Sequence, residues 1–177
     1  RLRSHGFPGT GGRCTPGAVD VSIARNNAAA ISAALPGQPP SGGNWTPMAS
    51  SLAAAGSHTP LLDATRRNYV VVIADGWEWC DPYDAATRFD PVDAVEDLDV
   101  LGITTYVIGF GGSVDALTLN QMTVASGTDR AGCDTTGADP AASDNCYYRA
   151  DNLTDLRTAL TDIATVVTEE VCDGLDN

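Results

Sequence analysis

The sequence predicts a three-layer α/β fold, doubly wound in the Rossmann-like manner, with a mostly parallel sheet and an antiparallel hairpin at its edge. Two observations carry that prediction. The stretches Asn68 to Asp75 (NYVVVIAD) and Ile103 to Phe110 (ITTYVIGF) are short, continuous apolar runs rich in β-branched residues. This is how strands covered on both faces read, so Asn68 to Asp75 is expected in the middle of a parallel sheet. Between the two runs, Val92, Val95, Leu98 and Leu101 recur every third residue, which lines one face of a helix. Strand, helix, strand implies a right-handed crossover.

The other elements follow from period and punctuation. Thr154 to Val167 reads as a helix because Leu156, Leu160, Ile163 and Val167 share a face while Asp155, Arg157 and Asp162 fall largely off it. Asn152 is its expected N-cap. Cys146 to Ala150 (CYYRA) reads as a final short strand just before it. A weaker helix spans about Asn26 to Leu35 and stops at Pro36; another starts at Thr46, where Pro47 suits the first turn. Leu117, Thr118 and Met122 mark one more. At the start, Arg1 to Phe7 and Ala18 to Ile23 read as two strands of the edge hairpin, joined by a Gly-rich turn carrying Cys14. The stretch PGQPPSGGN at 36–44 is too short to separate domains.

Composition narrows the function. At 177 residues and 43% hydrophobic, the chain is long enough to bury one core. Its formal net charge of −13 opposes phosphate backbones and anionic membrane surfaces, so nucleic acid is excluded as an expected partner. No apolar run approaches the roughly 18 residues of a membrane helix, and Arg1 to Pro8 lacks the apolar stretch of a signal peptide, so the chain is read as soluble and already trimmed. The five cysteines (14, 80, 133, 146 and 172) form no CxxC pair, which points to disulfides in an oxidising compartment rather than zinc or redox chemistry. Cys133 with Cys146 is the first expected pair, because the loop between them, DTTGADPAASDN, is polar and would otherwise be floppy; closing it is worth roughly 3 kcal/mol. Cys14 with Cys80 is the second, on the expectation that loops after two neighbouring strands meet at one end of a sheet. Cys172 is left odd.

The segments VVVIADG at 70–76, TYVIGFG at 105–111 and GGNWTPMASSLAAA at 42–55, in that order, resemble von Willebrand factor A (vWA) domains. FPGTGGRC at 7–14, LNQMTVASGT at 119–128 and YYRADNLTDLRTALTDIA at 147–164 resemble the secreted bacterial branch of that family. The resemblance covers residues 1–168 and implies a protein-binding module, secreted or at the bacterial cell surface, rather than an enzyme. In that family a divalent cation, usually Mg²⁺ and otherwise Ca²⁺ or Mn²⁺, is held at the carboxyl ends of the strands by an Asp-x-Ser-x-Ser motif, a Thr and a second Asp. Thr46 matches the Thr and Asp75 the second Asp. Both offer the oxygen ligands a hard cation prefers, and the site's open position implies a partner that supplies a carboxylate.

The Asp-x-Ser-x-Ser motif itself is not found. Asp20-Val21-Ser22-Ile23-Ala24 imitates it imperfectly, lies too close to Thr46, and is assigned to a strand. The resemblance therefore implies that the family's first strand and helix are absent, leaving a gap between Arg1 to Phe7 and Val70 to Ala74. An N-terminal part, a cleaved segment or another chain is expected to fill it. This gives a second reading: a structural subunit of a surface appendage or extracellular assembly, completed by a donated strand.

The remaining signals are secondary. The tail EEVCDGLDN at 169–177 resembles the opening of an acidic, cysteine-bearing repeat, in which Asp173, Asp176 and Asn177 would supply oxygens to Ca²⁺. Trp77 and Trp79, flanking Glu78 just past Asp75, form the expected partner-binding rim. GFGGS at 109–113 lacks the spacing of a nucleotide-binding loop, and His5 and His58 have no ligand-spaced neighbours. Asp93, Glu96, Asp97 and Asp99 read as a solvated helix face.

Overall fold

A computed structural model describes residues 2–3, 16–34, 46–80 and 83–173 of the chain. In chain order its elements are β1 (Leu2–Arg3), β2 (Ala18–Val19), α1 (Ala28–Ala34), α2 (Met48–Gly56), β3 (Asn68–Ala74), α3 (Asp90–Val100), β4 (Ile103–Phe110), α4 (Ala116–Ala125), β5 (Tyr148–Ala150) and α5 (Leu153–Asp173). The two apolar runs become β3 and β4, which pair in parallel with an unbroken register from Asn68 opposite Ile103 to Ala74 opposite Gly109. β5 adds on the far side of β4, also parallel, with Ile108 opposite Tyr148 and Phe110 opposite Ala150.

The period of two along each strand sorts side chains onto two faces. On one face, Val70, Val72 and Ala74 of β3 and Ile103 and Val107 of β4 pack with Met48, Leu52 and Ala55 of α2, Val95 and Leu98 of α3, and Leu119 and Met122 of α4. On the other, Tyr106, Ile108 and Ala150 pack with Ala159 and Ile163 of α5. Helices therefore cover both faces, and the fold is α/β in three layers. The every-third-residue stripe of α3 decides its orientation. Val95 and Leu98 are fully buried, worth roughly 1.5–3 kcal/mol each, whereas Asp93, Glu96, Asp97 and Asp99 are exposed as expected. Gly102 ends that helix with a φ of 73°, its N–H donating to Asp99 O at 2.8 Å, a left-handed turn that costs a side-chain-bearing residue far more.

Asn152 caps α5, its Oδ1 accepting the N–H of Thr154 at 2.8 Å and of Asp155 at 3.1 Å. The helix runs past Val167 to Asp173, because no breaker intervenes before Gly174 in the sequence. Cys133 and Cys146 are disulfide-bonded, with Cα atoms 5.0 Å apart. The loop they close is anchored from α4 by the buried Asn120, which donates to Gly137 O at 3.0 Å and accepts the Cys146 N–H at 2.7 Å. Cys80 is also disulfide-bonded; Cys14, its expected partner, lies outside the described residues.

Three expectations change. The strand expected over Ala18 to Ile23 is only Ala18–Val19; residues 20–24, including the imitation motif, are bends and irregular backbone. β2 pairs antiparallel with β1 in a two-stranded sheet of its own. A hairpin on the edge of the main sheet, and the reversal of strand order that double winding requires, are therefore not seen among the described residues. The third change concerns β3, expected in the middle of the sheet. Among the described residues it lies at one end, with β4 on one side only. Of the strand expected over Arg1 to Phe7, Arg1 and the part from Ser4 onward lie outside the described residues.

The contact of β4 with the segment leading into β5 depends on the absence of a side chain at Gly109. A Cβ there would sit 2.5 Å from Cε2 of Tyr147, a fully buried residue. Gly109→Ala is therefore expected to cost about 3 kcal/mol through overpacking and to lower the melting temperature by about 10 °C. Gly112→Ala, with open space around it, should melt like the unsubstituted chain. Thermal unfolding followed by circular dichroism checks both, and equal melting of the two variants would contradict this packing.

Candidate functional site

Parallel register puts the carboxyl ends of β3 and β4 side by side, since Ala74 lies opposite Gly109. The segments that follow, 75–80 after β3 and 111–115 after β4, therefore emerge on one rim, the place where open α/β sheets bind ligands. Thr46 joins this rim through the backbone. Its N–H donates to Trp79 O at 2.9 Å, and the Trp79 N–H returns to Thr46 O at 3.2 Å, an isolated antiparallel bridge. This holds Thr46 Oγ1 3.8 Å from where a Cβ on Gly76 would project. The two sequence-predicted metal ligands thus share the rim: Thr46 half-buried, and Asp75, next to Gly76, exposed. Among the described residues no cluster of three or more His, Cys, Asp or Glu side chains is placed to hold a metal ion. The two sequence-predicted oxygen donors flanking Gly76 are the Thr46 hydroxyl and the Asp75 carboxylate.

The three residues after Gly76 alternate in direction. Trp77 and Trp79 are 40% and 43% exposed, whereas Glu78 is buried. Its Oε2 accepts the Ala49 N–H at 2.9 Å, placing a carboxylate on the unpaired donors that open α2. Glu78 thus ties the rim to α2 instead of sharing the exposed ledge with the tryptophans. Burial pushes its carboxyl above the usual Glu range, and the backbone N–H groups of Ala49 and Met48 offset part of that rise. Trp79 stacks on Tyr83 with ring centroids 4.5 Å apart and planes 14° from parallel, an arrangement that fixes one face of the ledge.

Sequence reasoning missed the strongest ion pair of the rim. Arg88, in the turn before α3, grips Asp115 with two hydrogen bonds of 2.7 Å, Nε to Oδ2 and a terminal nitrogen to Oδ1. Its guanidinium also lies 4.7 Å from the centroid of Trp77 and 5.1 Å from that of Phe89, within cation–π range. Asp115 caps α4, accepting the Thr118 hydroxyl at 2.7 Å. Burial raises the Asp115 carboxyl, but Arg88 and Thr118 outweigh it and hold the group below the usual Asp range. The local signal was present, since an Asp three residues before a Thr at a helix start is an N-cap pattern. The partnership with Arg88, across 27 residues, had no such signal.

Of the three tail residues expected to hold Ca²⁺, Asp173 is the last residue of α5, and Asp176 and Asn177 lie outside the described residues. The chain matches no protein-family model, no curated protein and no solved structure.

The two carboxylates titrate in opposite directions. Asp115 has a lowered folded pKa, so its stabilising contribution is present above the ordinary Asp range and is lost as pH falls through the folded value. Glu78 has a raised one, so its contribution is present below the ordinary Glu range and is lost as pH rises through the folded value. Asp115→Asn is expected to cost about 3 kcal/mol at neutral pH by stranding Arg88 and to flatten the acid limb of the stability profile. Glu78→Gln, which keeps an acceptor for Ala49, should instead gain on the unsubstituted chain as pH rises. Urea unfolding across pH measures both. Parallel profiles for all three proteins would contradict the assignment.

Proposed function

We propose that the chain is a vWA-type, metal-assisted protein-binding module that acts outside the cell in adhesion or recognition. The observation that carries this reading is the two-hydrogen-bond bridge between Thr46 and Trp79, which sets the Thr46 hydroxyl beside the Asp75–Gly76 turn at the carboxyl end of β3. The donor set, a hydroxyl and an exposed carboxylate, fits a hard divalent cation such as Mg²⁺, Mn²⁺ or Ca²⁺. When bound, that cation offers an open coordination position to a carboxylate from a partner protein. Trp77 and Trp79 supply an apolar ledge beside it, the kind of anchor on which interfaces concentrate their binding energy. The Cys133–Cys146 disulfide supports an extracellular setting. The chemistry proposed is binding, not catalysis.

A specific observation also favours the second reading, an assembly subunit completed by a donated strand. Val71 and Ile73 of β3 are 39% and 44% exposed, although the strand reads as one built for burial.

A ligand that binds only the folded state stabilises it by about 2.7 kcal/mol at a hundredfold excess over its Kd. Mg²⁺ or Mn²⁺ titration is therefore expected to raise the melting temperature of the unsubstituted chain. Thr46→Ala and Asp75→Asn should abolish that rise while leaving the melting temperature in chelator nearly unchanged, since Asp75 is exposed. No metal-dependent rise in the unsubstituted chain, or an undiminished rise in both variants, would refute the reading.

A further inference from the structure

Four loop aspartates of this chain are pinned to their own backbone. Asp63, Asp84, Asp134 and Asp139 each accept the N–H two residues on, from Thr65 at 3.0 Å, Ala86 at 2.9 Å, Thr136 at 2.9 Å and Ala141 at 2.8 Å, the closed turn that Asp side chains favour. Asp75 is not held in this way. It is exposed and shares a bend with Gly76 directly after β3. Among the described residues, neither its carboxylate nor the Gly76 N–H takes part in a hydrogen bond or ion pair. The nitrogen that follows the carboxylate belongs to a glycine, so no Cβ shields it. A carboxyl carbon and the next backbone nitrogen, both unengaged and both in water, are the two atoms that close a five-membered ring.

We propose that Asp75–Gly76 is a modification site, at which Asp75 converts to a β-linked aspartate, and that a cation held at the rim protects it. The Gly76 nitrogen attacks Cγ of Asp75. The new C–N bond closes a succinimide as one carboxylate oxygen leaves, taking the amide proton and a solvent proton with it as water. A second water then adds to the ring carbonyl that was the Asp75 main-chain carbonyl, its bond to the Gly76 nitrogen breaks, and the nitrogen regains a proton. The composition is unchanged and nothing is oxidised or reduced. The main chain now runs through Cβ and Cγ of residue 75, and the former carbonyl carbon is a free carboxylate attached directly to Cα. The backbone between β3 and the Thr46–Trp79 bridge is thereby one atom longer, and the carboxylate has a different reach, so a ligand placed to within a fraction of an ångström is lost. The protection rests on the metal reading above: a carboxylate oxygen bound to a cation is held away from the Gly76 nitrogen and does not leave as water.

The test stores the folded chain at neutral pH in chelator, then reduces it and digests it with trypsin. The peptide spanning 68–88 carries Asp75, and the peptide spanning 158–177 carries Asp173, which also precedes a glycine. Enzymatic methylation of β-linked aspartate and electron-transfer fragmentation locate the linkage in each. The 68–88 peptide is expected to accumulate a second form of equal mass, β-linked at 75, by way of a species one water lighter. Gly76→Ala should lose most of that form while melting like the unsubstituted chain, because Gly76 is outside the left-handed region and a Cβ there meets the Thr46 hydroxyl at 3.8 Å, an ordinary contact. Storage with Mn²⁺ in place of chelator should suppress it as well. A folded chain that keeps Asp75 α-linked while the same chain in urea isomerises overturns the proposal, as does undiminished isomer in Gly76→Ala; both comparisons are free of metal and leave the metal reading untouched. Isomer that forms at 75 equally with Mn²⁺ and with chelator overturns the protection and counts against the metal reading, while the modification at 75 stands.

Discussion

The parallel pairing of β3 with β4 is the constraint on which the rest of the molecule depends. Its register sets Ala74 against Gly109, and that single alignment brings the loops after both strands onto one rim. It also fixes which face each side chain takes, because a slip of one residue would send Val107 to the α5 side and Tyr106 into the core beneath α3. The fit of Gly109 against Tyr147 and the disulfide loop tethered through Asn120 then hold β5 and its approach against β4.

Charge does at the rim what apolar packing does in the core. Two carboxylates that a sequence reader would offer to a cation or a partner, Glu78 and Asp115, are already committed: one to the N–H groups opening α2, the other to Arg88 and the start of α4. Each locks a helix to the segment that follows a strand. Asp75, which follows β3, is exposed. Arg88 contributes to the ledge as well, since it lies against the ring of Trp77 and so couples that side chain to α4 through Asp115. The segments around the rim are thus held in place by internal pairs.

Much of this architecture was legible in the residues. Continuous β-branched runs gave β3 and β4 nearly to the residue, the every-third-residue stripe gave α3, and Asn152 gave the start of α5, because each rests on a local pattern with a local cause. The Cys133–Cys146 bond was legible for the same reason, being the closure of a short polar loop. What escaped depends on distant partners. The Arg88–Asp115 pair and the inward turn of Glu78 arise from the meeting of separate segments, and no periodicity encodes such a meeting. Which neighbours β3 has is likewise not local information: a run of valines reports that a strand favours burial, and among the described residues the strand paired with it is β4. The bends over residues 20–24 show propensity giving way, since Val21 and Ile23 favour a strand but adopt bend and irregular backbone instead.

The proposed role follows from this geometry: a hydroxyl held by backbone hydrogen bonds, an exposed carboxylate delivered by a strand end, and an aromatic ledge beside them. The most direct test is to titrate Mn²⁺ into isotope-labelled protein and follow paramagnetic broadening of the amide resonances. The account predicts that Thr46, Asp75 and Gly76 broaden first, at metal concentrations that leave the remainder of the spectrum sharp. Broadening that begins in the acidic face of α3 or at Asp173, with Thr46 and Asp75 unaffected, would contradict it.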